Sequence, residues 1–360
     1  MLEMMCADTD IGAFSARASG ARVGRERGDA AGSEVAIEAD QSNDSVVVGG
    51  SAVVKLFPLT RAGSHDGIDV TMHLAAVGFT SMPAPLGALR WTAPAGTAVV
   101  LATASVFLPG ARDGWGWYLD RVLGLLDGEI APESMEPAAE LGGIVADMHA
   151  ALATPSEAQP GAPALADERT ADSWLRGALG VCDEALAVTD GDEGARLAAR
   201  ADAIRDELEP LGEAIGVPVT AVHGDLHVGQ VLEWEGGYAV TDFDGNPAAT
   251  TRARPLDTPV RDVAAFVRSL DHLGRVASRR RPDRGHAVES WIASSRAGFL
   301  DAYRERLAVL GWERLFDERL LRPLEVAQEC HEYVYAARFL PRWRYVPDLA
   351  MQALFPTKDR

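Results

Sequence analysis

Lysine is nearly absent from this chain, with Lys55 and Lys358 its two examples. Basic charge is scarce in general: Lys and Arg total 34 against 53 Asp and Glu, a formal net charge of −19 at pH 7. That balance argues against a nucleic-acid binder, because phosphate backbones recruit Lys and Arg. It favours a cationic substrate over a bare anion. Cysteine is scarce too. Cys6, Cys182 and Cys330 are far apart and form no C-x-x-C pair, so a disulfide framework or a zinc site built on them is not expected and the thiols read as idle. The longest apolar run, Ala98–Leu108, is too short and too rich in Thr and Ser to span a bilayer. The first ten residues are acidic early and lack an apolar stretch of the secretory kind. A cytoplasmic protein without nucleic-acid or membrane partners is the expectation, its oligomeric state open.

What is present suits two lobes, each with its own core, in 360 residues. Residues 1–33 hold almost no large apolar groups and read as a weakly ordered lead-in or small cap. Glu34–Glu38, Ser45–Val48 and Ala52–Phe57, punctuated by Gln41–Asp44 and Gly49-Gly50, read as a three-stranded meander. A helix over 67–77 and strands near Leu86–Trp91 and Thr97–Phe107 complete an α+β lobe over 1–110. Residues 111–360 form a mostly helical lobe, with helices over 115–126, 136–152, 173–187, 194–215, 257–275, 287–310 and 314–340. Arg275–Arg284, with its five arginines, reads as a solvated loop.

Chemistry concentrates between Val217 and Pro247. The order there is strand, polar loop, strand, Gly236-Gly237 turn, strand, acidic loop. The hairpin brings the loop holding Asp225 and Gln230 beside the loop holding Asp242 and Asp244. Carboxylate and amide oxygens of this kind hold magnesium together with phosphate oxygens. Phosphoryl transfer asks for positioning, a metal on the phosphates and a base to orient the attacking hydroxyl. Asp225 suits the base, Gln230 and Asp242 the magnesium, and Lys55 the α- and β-phosphates of ATP. Each feature alone has a plainer reading: a polar turn, a metal-hydrolase fragment, a surface lysine. The other six His are scattered without a ligand motif, which weakens the hydrolase. A nucleotide-binding pseudokinase also stays open, although the intact set argues for catalysis.

His223-Gly224-Asp225 with Gln230, then Asp242-Phe243-Asp244-Gly245, resembles the catalytic and metal loops of the protein-kinase-like superfamily. It is closer to the aminoglycoside phosphotransferase and maltokinase group, whose maltokinase-type members share the Gln. Glu38–Val47 is similar to the nucleotide-facing hairpin of actinobacterial maltokinases, and Arg261–Ala264 to their following helix. The resemblance covers roughly residues 34–350. It implies a two-lobed kinase-like fold, with ATP under a turn that includes Ser42 and Asn43, and adenine at a hinge that includes Val106 and Leu108. Asp69 stands where such kinases usually offer a Glu to the lysine, one methylene short. His223 reads as structural, Asp262 as a brace of the catalytic loop, and His227 and Asp244 as acceptor-side groups.

The acceptor itself has to be read from the last long helix. Gln328, Glu329 and Glu332 lie at helical spacing, with Trp343 beyond. Carboxylates would take hydroxyls or an ammonium group, and a tryptophan would stack on a sugar ring; a solvated helix and a core Trp are the plainer alternative. The stretch Gln328–Trp343 resembles the actinobacterial maltokinase-like glucosamine kinases, which implies transfer from ATP to the 6-hydroxyl of glucosamine. Maltose and aminoglycosides remain the alternatives.

Overall fold

A computed structural model describes residues 5, 9–11, 13–18, 34–36, 44–57, 66–94, 96–131, 137–157, 162–245 and 256–356. The chain divides into two units. The first takes Met1–Asp113, Thr154–Gly161 and Gln230–Arg254, and the second Gly114–Ala153, Ala162–Gly229 and Pro255–Arg360.

The first unit is built on a seven-stranded sheet. Its strands are β1 (Thr9–Ile11), β2 (Phe14–Ala18), β3 (Glu34–Ala36), β4 (Asp44–Val48), β5 (Ala52–Leu56), β6 (Pro85–Thr92) and β7 (Ala98–Val106), in the order β1-β2-β6-β7-β5-β4-β3. Every neighbouring pair is antiparallel. β4 and β5 are β-branched runs that favour a pleated surface. They are joined where Gly49 and Gly50 both take positive φ, 58° and 61°, the backbone that a tight hairpin turn demands. Alternation along β5 sends Ala52 and Val54 into a core with Met5, Leu86, Ala102 and Ala104, and so turns Val53 and Lys55 to the other face. Helix α1 (Asp66–Ala76) packs Ile68 with Ala88 and Val100.

Residues 9–18, expected as part of a weakly ordered lead-in, instead form a hairpin whose second strand pairs with β6 from Phe14↔Trp91 to Ala18↔Gly87. Backbone pairing at a sheet edge needs little apolar side chain, so composition hid it. The strands β10 (Val231–Trp234) and β11 (Gly237–Val240) pair as the expected hairpin.

The second unit is helical: α2 (Gly114–Leu126), α3 (Pro137–Ala153), α4 (Glu168–Val188), α5 (Gly191–Ala198), α6 (Ala201–Leu208), α7 (Val260–Arg280), α8 (Gly285–Leu310), α9 (Leu321–Arg338) and α10 (Tyr345–Leu354), with two-residue strands β8 (Ala164–Leu165) and β9 (Pro218–Val219). Helices α3 and α8 approach so closely that a Cβ on Gly142 would collide with the Phe299 carbonyl. Stacked Phe266 and Phe299, 4.6 Å apart between ring centroids, extend this core.

Two expectations change. Residues 194–215 are not one helix but α5, α6 and a 3₁₀ turn over Glu209–Glu213, where Pro210 lies at the start of the turn and cannot continue an α-helical ladder. Arg275–Arg280 are helical, the end of α7, and Arg275 is buried against Asp271 and Glu289. Paired guanidinium groups were indistinguishable from solvated ones in the sequence. No helix among the described residues is long and apolar enough to cross a membrane.

Candidate active site

In the first unit, Lys55 rises from β5 opposite Ser45 and Thr103. Its Nζ donates to Asp242 Oδ1 at 2.9 Å and to Asp244 Oδ2 at 2.5 Å. Burial alone would lower the ammonium pKa, but the charges of Asp244 and Asp242 more than offset it and hold it above its ordinary value. Asp69, the expected partner of the lysine, has its Oδ1 3.5 Å from Arg90. Asp244, expected on the acceptor side, stands here beside Asp242.

The hairpin fixes the neighbours. Thr241 donates from both its N–H (2.8 Å) and its Oγ1 (3.2 Å) to the Gln230 carbonyl, so Gln230 and Asp242 flank the open end of β10–β11. Asp242 has φ of 60°, the one positive value at a non-glycine among the described residues. Such backbones are held at functional sites by their surroundings. Gly67, at the start of α1, has no side chain where Asp244 lies; a Cβ there would run into the carboxylate. The lysine ammonium already sits as a cation between two carboxylates, and the Gln230 backbone is bonded to Thr241, the residue before Asp242. That donor set fits magnesium, which takes one or two carboxylates and leaves other positions to phosphate and water. Val106 ends β7, its N–H on the Ala84 carbonyl at 2.9 Å, and Leu108 follows, buried. Ser42 and Asn43 lie outside the described residues.

In the second unit, α7 holds the loop that carries Asp225. Asp262, buried on its first turn, accepts from the backbone N–H groups of His223 (2.6 Å) and Gly224 (2.9 Å). Two turns on, Ser269 Oγ accepts from Val228 N–H at 3.0 Å. Gly224 has φ of 83°, a conformation that suits glycine. Burial would push the Asp262 carboxyl up. The hydrogen bond and charge of His149, the charge of His223 and the Gly224 N–H together hold it below its ordinary range. His149 lies 3.2 Å from Asp262 through Nε2 and 2.8 Å from the Tyr303 hydroxyl through Nδ1. Composition and spacing gave no sign of His149, Tyr303 or Ser269, because each acts through a partner distant in sequence.

The loop continues to His227, whose Nδ1 accepts from Gly229 N–H at 3.0 Å. A Cβ on Gly229 would lie 2.8 Å from both His227 Nδ1 and Trp115 Cδ1, and Trp115 meets Trp343 edge to face at 5.6 Å. Trp115, which the sequence offered only as the start of a helix, thus links two predicted acceptor residues. On α9, Gln328 Nε2 donates to Glu332 Oε1 at 3.0 Å. The Glu332 carboxyl is held above its ordinary value by burial and by the negative Glu329 and Asp225, against the charge of His272 and the Gln328 amide. Glu329 has no exposed surface, and Arg268 and His272 occupy its Oε1. Asp225, His227, Gln328, Glu332 and Trp343 are therefore carried by one unit, with Glu329 behind them.

Known proteins match the chain over most of its length. The model of the phosphotransferase enzyme family matches residues 34–315. A glucosamine kinase of Streptacidiphilus jiangxiensis is 45% identical over 331 residues, 90% of this chain and 74% of that protein. A glucosamine kinase of Mycolicibacterium smegmatis is 38% identical over 320 residues, 88% of this chain and 78% of that one. A solved structure of a glucosamine kinase in complex with glucosamine, ADP and inorganic phosphate aligns with a TM-score of 0.82 at 40% identity, covering 96% of this chain and 80% of that chain.

Proposed function

The chain belongs to the phosphotransferase enzyme family, as an ATP-dependent kinase of kinase-like α+β fold, and we propose that its acceptor is glucosamine, phosphorylated at the 6-hydroxyl. One observation carries the choice of an amino sugar. Glu332 is partly covered, and two further carboxylates, Glu329 and Asp225, push its pKa up, a setting that disfavours its charged form until a cation arrives. The ammonium group of glucosamine is such a cation, and a neutral sugar is not. The two relatives that match about nine-tenths of the chain are themselves glucosamine kinases.

The roles follow from the groups at hand. Lys55 pairs with the α- and β-phosphates of ATP. Gln230 and Asp242 would hold magnesium, which supplies charge neutralisation on the phosphates. Asp225 accepts the hydrogen bond of the acceptor hydroxyl and takes its proton as the oxygen–phosphorus bond forms and the bond to the departing ADP breaks. Asp262 and Ser269 keep the Asp225 loop in register. Gln328 and Glu332 bind the sugar's polar groups, and Trp343, backed by Trp115, offers a face to its ring. Asp69, Val106 and Leu108, with Ser42 and Asn43, belong to the nucleotide side, and His227 to the acceptor side.

The test is a panel in which ADP release is followed with glucosamine, N-acetylglucosamine, glucose, maltose and a kanamycin-type acceptor. Turnover of glucosamine well above the rest is expected, with the phosphate located at the 6-position by NMR of the product. Turnover confined to maltose or an aminoglycoside would overturn the assignment, and binding of ATP without turnover on any acceptor would point to a pseudokinase.

A further inference from the structure

Helix α9 presents its carboxylates to α7 in two tiers. Glu329 lies deepest. Its Oε1 accepts from Arg268 Nε at 2.5 Å and from His272 Nε2 at 2.9 Å, while its Oε2 is buried and finds no hydrogen-bond partner among the described residues. Glu332 lies one turn further along. His272 is itself only 3% exposed, and a carboxylate can only accept, so its Nε2 carries a proton.

The charged groups in range of His272 are Glu329 and Glu332 from α9 and Arg268 and Asp271 from its own helix. Those in range of Glu332 are His272, Glu329 and Asp225. Asp271 and Arg275 on α7, Glu325 on α9, and Glu289 and Arg296 on α8 complete the network. Within it, Arg268 and His272 both touch Glu329, and His272 is the one of the two whose charge titrates in the neutral range and also bears on Glu332.

We propose that His272 is a specificity-determining positioning residue for the amino-sugar acceptor: from behind the acceptor face of α9 it fixes Glu329, and when protonated it favours the ionised form of Glu332, one turn along the same helix, which receives the substrate's ammonium group. The role rests on the acceptor assignment above. His272 touches no substrate; it acts through Glu332. Without its charge, the partly covered Glu332 would face two negative neighbours unopposed, which favours its protonated form, and a neutral carboxyl forms no ion pair. Linkage requires the reverse as well. An ammonium group arriving at Glu332 offsets the charge that sustains the imidazolium, so binding lowers the pH at which His272 titrates.

The experiment compares KM and kcat across the histidine titration range in wild type, His272→Gln and His272→Lys. In His272→Gln, KM for glucosamine should rise about tenfold near neutral pH, the equivalent of one pKa unit. The pH at which that KM climbs on acidification should move upward, with kcat and KM for ATP changed less than about twofold. His272→Lys, which restores a cation, should return the KM profile towards wild type. Wild-type turnover of glucosamine with an acid limb that is the same in His272→Gln overturns the role of His272 alone, as does an equal loss in every parameter with no rescue by lysine. Wild-type enzyme that ignores glucosamine overturns the acceptor assignment first. Should the variants not fold, wild-type enzyme with nitrogen-labelled histidine decides the point by NMR. The His272 midpoint should fall on saturation with glucosamine, and an unmoved midpoint overturns the proposal.

Discussion

Asp262→Asn is the substitution that most directly probes how the catalytic loop is held. The wild-type carboxylate serves three donors: Oδ2 takes His223 N–H at 2.6 Å and His149 Nε2 at 3.2 Å, and Oδ1 takes Gly224 N–H at 2.9 Å. All lie at a side chain only 1% exposed, where water cannot substitute. Asparagine has the same shape but one acceptor oxygen. Whichever way the amide turns, its NH₂ faces a donor. If the oxygen keeps His223 and His149, Gly224 N–H is orphaned; if it keeps Gly224, two donors are. The lost charge-assisted bond and the unsatisfied buried donor together cost about 3 kcal/mol. At roughly 2–4 °C per kcal/mol for a unit of this size, melting should fall by roughly 6–12 °C. Activity should fall further than stability predicts, since Asp225 follows the two affected peptides and a misplacement of about 1 Å costs about 100-fold in rate. Thermal unfolding by circular dichroism and steady-state ADP release measure the two effects. A variant that melts within about 2 °C of wild type and keeps more than half its kcat would refute the bracing role.

Three other outcomes are expected. Gly67→Ala, which forces the Asp244 carboxylate away from Lys55, should raise KM for ATP several-fold while leaving KM for glucosamine within about twofold; equal changes in both would contradict the nucleotide role of the pair. Asp225→Asn should preserve ATP binding by calorimetry while lowering kcat by about 100-fold or more, and near-normal turnover would remove Asp225 as the base. Stability should be bounded on both sides of pH. Asp262 titrates below its ordinary value, so its contribution is present above the unfolded carboxylate pKa and lost as pH falls through the folded one. His272 titrates above its ordinary 6.5, so its contribution is complete below that value and lost as pH rises through the folded pKa; Glu332, raised from 4.5, adds a separate loss that begins as pH rises through 4.5 and ends at its folded pKa. Urea midpoints should therefore decline from about neutral pH upward, more shallowly in His272→Gln, and a midpoint that rises there would contradict the assigned charges.

Much of this was legible in the sequence because it is local. The β-branched runs around Gly49-Gly50 specify a hairpin, and a hairpin of known register places Gln230 beside Asp242 without further information. Lys55 stood out because the chain has so few lysines. What escaped depends on partners far apart in sequence. Lys55 meets Asp242 and Asp244 across nearly two hundred residues, and Asp69 goes to Arg90. His149 reads as one more residue of an apolar helix until Asp262 and Tyr303 close on it from 113 and 154 residues away. Glu329 and Glu332 look alike on paper, three positions apart on one helix. Packing against α7 buries the first completely and leaves the second only partly covered.

Helix α7 explains why those two carboxylates had to separate in role. Its residues fall on two faces, since each position advances roughly 100° around the axis. Asp262 and Ser269, seven apart, share one face and hold the backbone of the Asp225 loop. Arg268 and His272, four apart, share another and hold Glu329. One rigid element thus fixes both the loop of the proposed base, Asp225, and the support of the proposed ammonium partner, Glu332. A buried ionic cluster of this kind is a poor stabiliser, because apolar side chains of equal volume would fold as well or better. What apolar side chains cannot do is set a neighbour's charge. The placing of Arg268, His272 and Glu329 in the interior, with His272 and Glu329 within electrostatic reach of Glu332, therefore fits a role in recognition better than one in stability.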